Sequence, residues 1–203
     1  MTDGRSDEPD REDGLSFATI DHDRVLRQGF PEVIYGAGKT PQQILEIALR
    51  IAARGHAVLA TRISPDAADV LRERLPNVEL NAIARTAHVP GREAPARGDG
   101  IVSVVTAGTS DLPVAEEAIV TLGALGNIVA QITDVGVAGV HRVLARREEL
   151  SAAAVVIVIA GMDGALPSVV GGLVRVPVIA VPTSVGYGAS FGGLAPLLTM
   201  LNS

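Results

Sequence analysis

The 203-residue sequence contains no cysteine and no tryptophan, and it has only two tyrosines and three phenylalanines. Without cysteine the chain can form neither a disulfide framework nor a cysteine-based zinc site, and its four histidines are scattered. A chain of this length buries a core without such crosslinks. The absence of cysteine fits a cytoplasmic protein, which is the setting we expect.

Long apolar runs are missing too. The longest, residues 152–161, is far shorter than the roughly 20 residues needed to cross a bilayer. We therefore expect a soluble protein that does not contact a membrane. From Ser151 onward only Asp163 and Arg175 are charged. A segment this apolar is typical of a deep core, an oligomer interface, or both.

Basic charge is also scarce. The formal net charge is −6, and residues 1–13 contribute −4 of it, from six acids and two arginines. We interpret this segment as a disordered acidic tail. The rest of the chain is nearly neutral, so it lacks the basic face that neutralises phosphates and the aromatic side chains that stack on bases. The sequence argues against nucleic-acid binding.

Residues 14–85 predict a small N-terminal α/β domain. Its first part, residues 14–38, is charged and broken by glycine, and we expect it to be irregular. Thr40 then has the features of an N-cap, with proline at the first helical position and Gln43 completing a capping box. The further elements expected are a strand over 57–60, a helix that Ser64 opens and Leu75 ends, and a strand over 78–84.

Residues 86–100 contain two prolines and three glycines and predict a linker. Beyond it, in residues 101–203, strand and helix patterns alternate, which requires crossovers and places helices on both faces of one sheet. The predicted fold is therefore α/β, with a doubly wound parallel sheet. The expected elements are strands over 101–107, 127–132, 154–160 and 177–181, and helices over 112–125, 139–150, 164–174 and 191–201.

Ligands of such sheets bind beyond the carboxyl ends of the strands, and here those ends lead into loops rich in glycine. After the first strand, Asp111 opens a helix, so backbone N–H groups and a positive helix end suit a phosphate or a carboxylate. Asp111 could hold a ribose hydroxyl, assist a metal ion, or cap that helix, and capping does not exclude ligand contact. The residues of this loop that we assign to substrate or phosphate binding are Gly108, Thr109 and Ser110.

Three further loops supply candidates. Gly139 precedes His141, a proton carrier, and Arg142, a permanent cation that can clamp phosphate; the alternative is a solvated helix start. Asp163, between Gly161 and Gly164, could act in acid/base chemistry, contact a metal, or cap the helix over 164–174. Ser184 lies in the fourth loop. Each loop taken alone could be an ordinary tight turn, but four at one edge favour a site.

Several motifs resemble those of the LarB family of nickel-pincer cofactor synthesis. They are Asp21-His22-x-Arg24, Arg27-x-Gly29-Phe30-Pro31-Glu32, Gly38-Lys39-Thr40 and Pro182-Thr183-Ser184-Val185-Gly186-Tyr187-Gly188. The second half is also similar to aminoimidazole ribonucleotide carboxylases, the PurE-like domains. Their Gly-Ser-x-Ser-Asp and Ser-Ala-His-Arg motifs correspond to residues 107–111 and 139–142.

The carboxylase motifs are not fully preserved. Gly108 and Gly139 each replace a serine, and the Ala-His-Leu-Pro of those enzymes becomes Gly164-Ala165-Leu166-Pro167. The missing histidine disfavours the purine reaction. Aminoimidazole ribonucleotide carboxylation and a nucleotide-binding module without chemistry remain as alternatives.

The LarB resemblance implies a flavodoxin-like, PurE-like three-layer domain over residues 101–203. It also implies carboxylation of the pyridinium ring of nicotinic acid adenine dinucleotide at C5, with CO2 or bicarbonate as the carbon source. Cleavage of the phosphoanhydride then releases AMP and pyridinium-3,5-biscarboxylic acid mononucleotide. Mg2+ is a candidate cofactor, and no residues of this chain are assigned to it. The implied catalytic residues are Asp111, His141 and Asp163.

Two further expectations follow from the resemblance. Related carboxylase domains assemble as octamers, so a homo-oligomer is expected, with an apolar helix over 191–201 as one candidate contact. Family members also continue into a cysteine expected to add to the pyridinium ring, whereas this sequence contains none. We therefore expect the 203 residues to be a truncated form that does not turn over.

Overall fold

A computed structural model describes residues 15–203, so the predicted acidic tail lies outside the described residues. The chain divides into two compact units. The first consists of residues 15–79 and Ala87–Glu93, and the second of Leu80–Thr86 and Ala94–Ser203. None of the helices in residues 15–203 is long and apolar enough to span a membrane.

The first sheet has four strands in the order β1-β2-β4-β3, with β1 parallel and β4 antiparallel to β2. Helices α2 and α3 follow β1 and β2. The elements in chain order are α1 (Arg24–Gln28), β1 (Val33–Tyr35), α2 (Pro41–Ala53), β2 (Val58–Thr61), α3 (Pro65–Arg74), β3 (Glu79–Asn81) and β4 (Thr86–Val89).

The start of α2 matches its prediction. Thr40 Oγ1 accepts a hydrogen bond from Gln43 N at 3.2 Å, and Gln43 Oε1 accepts one from Thr40 N at 2.9 Å. This capping box pairs two backbone donors that a helix start leaves without partners. The helix then buries an apolar stripe whose members are Ile44, Leu45, Ile47, Ala48 and Ile51.

Three expectations for the N-terminal half are wrong. Residues 15–38 are not wholly irregular, because they contain α1 and β1, which are too short to show a period in sequence. The linker predicted over 86–100 starts too early, since residues 86–89 form β4, which pairs with β2 and buries Thr86 and Ala87. The strand expected over 78–84 ends at Asn81, whose side-chain oxygen accepts a hydrogen bond from Ala84 N and closes a turn.

The second sheet confirms the predicted doubly wound α/β fold. Its four strands are parallel in the order β6-β5-β7-β8, so the strand order reverses between β5 and β7. The elements are β5 (Ile101–Thr106), α4 (Leu112–Ala124), β6 (Ile128–Ile132), α5 (Val140–Ala145), α6 (Arg147–Ser151), β7 (Val155–Ala160), α7 (Leu166–Gly171), β8 (Val178–Pro182) and α8 (Leu194–Leu201).

Alternate side chains of the central strands enter two apolar layers, as a sheet covered on both faces requires. On β5, Val104 packs in a cluster with residues of α4. Its neighbour Val105 packs in the other cluster, with Val143 of α5, Leu150 of α6 and Leu166 of α7. This packing holds the carboxyl ends of all four parallel strands at one edge, which we call the rim.

Helix boundaries in the second unit differ from their predictions. The helix expected over 139–150 is broken at Arg146, whose amide bonds to Val143 O three residues back rather than four. Helix α7 begins after residue 164, because Gly164 at φ +67° is left-handed, and it ends at Gly171. Helix α8 begins at Leu194 and not at Phe191, since residues 191–193 all have positive φ.

Candidate functional site

The turn after β5 is organised by Asp111, which is 3% exposed. Its Oδ2 accepts a hydrogen bond from Gly108 N at 3.2 Å, and its Oδ1 accepts one from Thr183 Oγ1 at 2.8 Å. The side chain does not cap α4, so the capping alternative is wrong. Thr109 and Ser110 are exposed in the same turn. The turn therefore presents these two residues while its carboxylate faces inward.

The loop after β6 is tied to the end of β5. Asp134 N donates to Thr106 Oγ1 at 3.3 Å, and Val135 N donates to Thr106 O at 3.1 Å. A Cβ atom at Gly136 would lie 2.8 Å from Ala107 O, closer than real Cβ atoms come to backbone oxygen. Only glycine therefore fits where this loop crosses the β5 turn.

Arg142 forms an ion pair at this loop. Its Nη1 lies 2.7 Å from Asp134 Oδ2, and both side chains are partly exposed. A Cβ atom at Gly139 would lie 2.7 Å from Arg142 Nε, so the glycine leaves room for the guanidinium. Where the carboxylase motif has a serine, this chain has Gly139, and the Arg142 side chain folds back over that residue. His141, at the start of α5, is exposed.

The loops after β7 and β8 are interlocked. Met162 N donates to Val185 O at 2.8 Å. A Cβ atom at Gly161 would collide with Val185 O and would lie 2.7 Å from Thr183 Oγ1. Gly164 has a φ of +67°, and a Cβ atom added there would collide with Pro196. These close approaches require glycine at both positions.

Two remaining candidates of this region are exposed. Asp163 is exposed in the loop after β7. Its Oδ1 accepts a hydrogen bond from Ala165 N at 3.2 Å, just before α7 begins. Ser184 is exposed in the β8 loop. Both side chains are therefore open to a ligand at the rim.

The contacts join all four loops at the rim. Hydrogen bonds join the β5 turn to the β6 loop through Thr106 and to the β8 loop through Asp111. A further hydrogen bond joins the β8 loop to the β7 loop through Val185. The predicted catalytic residues therefore follow neighbouring parallel strands. No hydrogen bond joins Asp111, His141 and Asp163 to one another within residues 15–203.

A protein cage for a metal ion is absent from residues 15–203, where no three His, Asp or Glu side chains are grouped to hold one. The rim carboxylates are engaged separately, Asp111 by two donors and Asp134 by Arg142. Mg2+ commonly binds through one or two carboxylates together with substrate phosphates. The rim can offer Asp163 for that purpose, but it does not build a site for the ion by itself.

Sequence reasoning placed Thr183, Asp134 and Gly136 in the candidate loops but gave them no individual role. Thr183 directly follows β8 and Asp134 lies two residues after β6, so their place after a parallel strand was the available signal. Their partners lie 72 and 28 residues away, a separation that no local pattern encodes.

Two protein-family models match the chain. A model described as the LarB/PurE-like N-terminal domain covers residues 12–91, and one described as AIR carboxylase covers residues 101–203. The chain belongs to the LarB family. Its second unit thus carries a PurE-like carboxylase domain, and the family relationship is that of a carboxylase-type enzyme.

The chain is also similar to a curated protein over most of its length. An uncharacterised protein of Methanocaldococcus jannaschii is 40% identical over 191 residues. The match covers 91% of this chain and 73% of that protein. Its similarity extends over both units and adds no activity of its own.

Proposed function

We propose that the rim binds nicotinic acid adenine dinucleotide, and that this LarB protein serves the carboxylation of its pyridinium ring at C5. The observation that carries the proposal is the interlocking of four loops at the carboxyl edge of the second sheet. The strand order reverses between β5 and β7, and crevices at such points are where open α/β sheets bind ligands.

Recognition of the pyrophosphate would come from the β5 turn and from Arg142. The turn leads directly into α4, a helix of 13 residues whose start favours negative charge. Arg142 can donate charge-assisted hydrogen bonds to a phosphate in place of those it makes to Asp134. The exposed residues Thr109, Ser110 and Ser184 can add hydroxyl contacts.

The proposed carboxylation proceeds through a covalent thiol adduct of the pyridinium ring. A thiolate adds to the electrophilic pyridinium ring, and the resulting enamine-like ring attacks CO2 through C5, forming a C–C bond. Loss of the C5 proton to a base and expulsion of the thiolate restore the aromatic ring. Water cleaves the phosphoanhydride and releases AMP. His141 and Asp163, both exposed, are the proposed proton acceptors.

The first step needs a thiol. Residues 1–203 contain no cysteine, so they cannot supply it. We therefore propose that these residues provide the binding site, the phosphate contacts and the proton acceptors, and that the thiol is supplied outside them. Cleavage of the phosphoanhydride needs charge neutralisation, and Mg2+, Arg142 and the loop N–H groups would supply it.

Aminoimidazole ribonucleotide carboxylation is a second candidate, favoured by the match of residues 101–203 to the AIR carboxylase model. Ala165 stands against it, because the corresponding carboxylase motif has a histidine there. A third candidate is a nucleotide-binding module without chemistry, favoured by the absence of cysteine.

We also propose that the protein is a homo-oligomer that uses α8. Four leucines of this helix, spaced as one helical stripe, are 40–72% exposed. Exposed apolar surface of this kind is typical of protein contacts. The four leucines are Leu194, Leu197, Leu198 and Leu201.

The test uses two proteins, the 203-residue chain and the same chain extended after Ser203 by a segment with one cysteine. Each is incubated with nicotinic acid adenine dinucleotide and 13C-labelled bicarbonate, and products are weighed by mass spectrometry. We expect both to bind the dinucleotide, and labelled biscarboxylated mononucleotide and AMP from the extended form alone.

Each of the other possible assay results would support a different function. Product from the 203-residue chain would show that no cysteine thiol is needed. Tight binding without product from either protein would favour the module without chemistry. A parallel assay in which aminoimidazole ribonucleotide is carboxylated and the dinucleotide is not bound would favour the purine reaction.

A further inference from the structure

Thr183 lies where three loops of the rim meet. Its hydroxyl group donates to Asp111 Oδ1 at 2.8 Å across 72 residues of sequence, and the residue is 6% exposed. Its backbone N donates to Ala160 O at 3.0 Å, which fixes it to the end of β7. Gly161 leaves the space that the side chain needs.

The Asp111 carboxylate has little surface left for a ligand. One oxygen accepts from Gly108 N within its own turn, and the other accepts from Thr183, so both are engaged while the residue is buried. A buried carboxylate is stable only when donors replace its lost hydration. Thr183 supplies one of the two donors that hold this carboxylate in place.

We propose that Thr183 is a positioning residue, whose hydrogen bond to Asp111 fixes the turn over residues 108–111 in the form that binds substrate phosphate. The inference rests on the proposed function and deepens it. It also reassigns Asp111 from a catalytic role to one of positioning, because the carboxylate faces the loops. Thr109 and Ser110 are left as the ligand-facing residues of the turn.

The hydroxyl group and the shape of the side chain can be separated by substitution. Thr183→Val keeps the branched shape and removes the donor, whereas Thr183→Ser keeps the donor. Thr121→Val is a matched control, because the Thr121 hydroxyl donates to Glu117 O at 2.7 Å within α4. That bond is of similar length but lies inside one helix.

The first measurement is amide hydrogen exchange over residues 108–111 in the free protein. We expect Thr183→Val to speed exchange there by about tenfold or more, the equivalent of one hydrogen bond to a charged group. Thr183→Ser and Thr121→Val should leave it within about twofold of the unsubstituted chain. Unchanged exchange in Thr183→Val would overturn the inference.

The second measurement is the dissociation constant for nicotinic acid adenine dinucleotide, by calorimetry. We expect Thr183→Val to raise it about tenfold or more, with Thr183→Ser and Thr121→Val close to the unsubstituted chain. Equal affinities, or equal weakening by the valine and serine substitutions, would overturn the inference.

The two failures are distinguishable. If the unsubstituted chain does not bind the dinucleotide, the proposed function is wrong, and so is the assignment of the turn to substrate phosphate. The exchange measurement then decides whether Thr183 fixes the turn. If the unsubstituted chain binds and Thr183→Val binds equally well, the proposed function stands and the positioning role falls.

Discussion

The two units of the chain use their polar side chains differently. In the first unit, the capping box of α2 and the Arg72–Asp69 ion pair each join residues three apart and are exposed. The second unit has short-range contacts as well, such as Thr121 to Glu117 within α4, but the bonds at its rim join loops far apart in sequence, and the Thr183–Asp111 bond is buried.

This difference indicates where function lies. Local contacts stabilise single helices and need no tertiary structure, whereas a buried bond between distant loops persists only when the whole fold places both partners. Proteins commonly build binding sites from loops that a rigid scaffold positions. The rim of the second sheet has this construction.

The largest effect is expected from Gly161→Ala. The new methyl group would collide with the backbone of Val185, and backbone cannot yield as a flexible side chain does. We expect a loss of about 3 kcal/mol in unfolding free energy, the upper range for overpacking, and loss of dinucleotide binding. Urea unfolding and calorimetry measure both.

Gly123→Ala is the matched control. Gly123 lies near the end of α4, and no atom lies within 4 Å of the place that an added methyl group would take, so alanine should stabilise by up to about 1 kcal/mol. Equal stability of the two variants would show that the close approach of the β7 and β8 loops is not required.

Arg142→Gln tests the phosphate contact. Removing a charge-assisted hydrogen bond should raise the dissociation constant of the dinucleotide about 10- to 100-fold, with little change in unfolding free energy because the ion pair is partly exposed. The measurement is calorimetry at two salt concentrations. Arg72→Gln, which breaks an exposed ion pair of the first unit, should leave affinity unchanged. Equal affinities for both variants would remove Arg142 from the site.

Leu198→Glu tests the proposed self-association. A carboxylate placed in an apolar contact must be desolvated, so we expect the subunit dissociation constant to rise at least about tenfold. Sedimentation velocity measures it. Leu26→Glu changes an exposed leucine of the first unit and should leave assembly unchanged. A monomeric unsubstituted chain, or no difference between the variants, would reject α8 as the interface.

Thr40→Ala gives the smallest expected effect. Losing the capping hydroxyl should cost about 1 kcal/mol of unfolding free energy, while Thr40→Ser should retain most of it. Dinucleotide affinity should not change in either variant. A large loss of affinity would mean that the first unit takes part in binding, and the contrast between the two units would no longer hold.

Much of the fold was predictable because its signals are local. The β-branched strands, the glycine turns and the Thr40 capping box led to the parallel sheet and to α2. Strand β4 was missed because its residues are held by pairing with β2 rather than by their own propensity. The early start assigned to α8 was wrong because Phe191 adopts a left-handed conformation, which residue type does not indicate.

The candidate site was predictable only in outline. The positions of Asp111, Arg142 and Asp163 after parallel strands followed from the alternating pattern. The pairing of Asp111 with Thr183 did not, because the two residues are 72 apart in sequence and meet only through tertiary packing. The inward direction of the Asp111 carboxylate is likewise a consequence of that packing.

Hydrogen exchange with and without nicotinic acid adenine dinucleotide tests the central claim most directly. The account predicts protection in residues 107–111, 134–142, 161–164 and 183–193, with no change in residues 36–61 of the first unit. Protection confined to the first unit, or none at saturating dinucleotide, would contradict it.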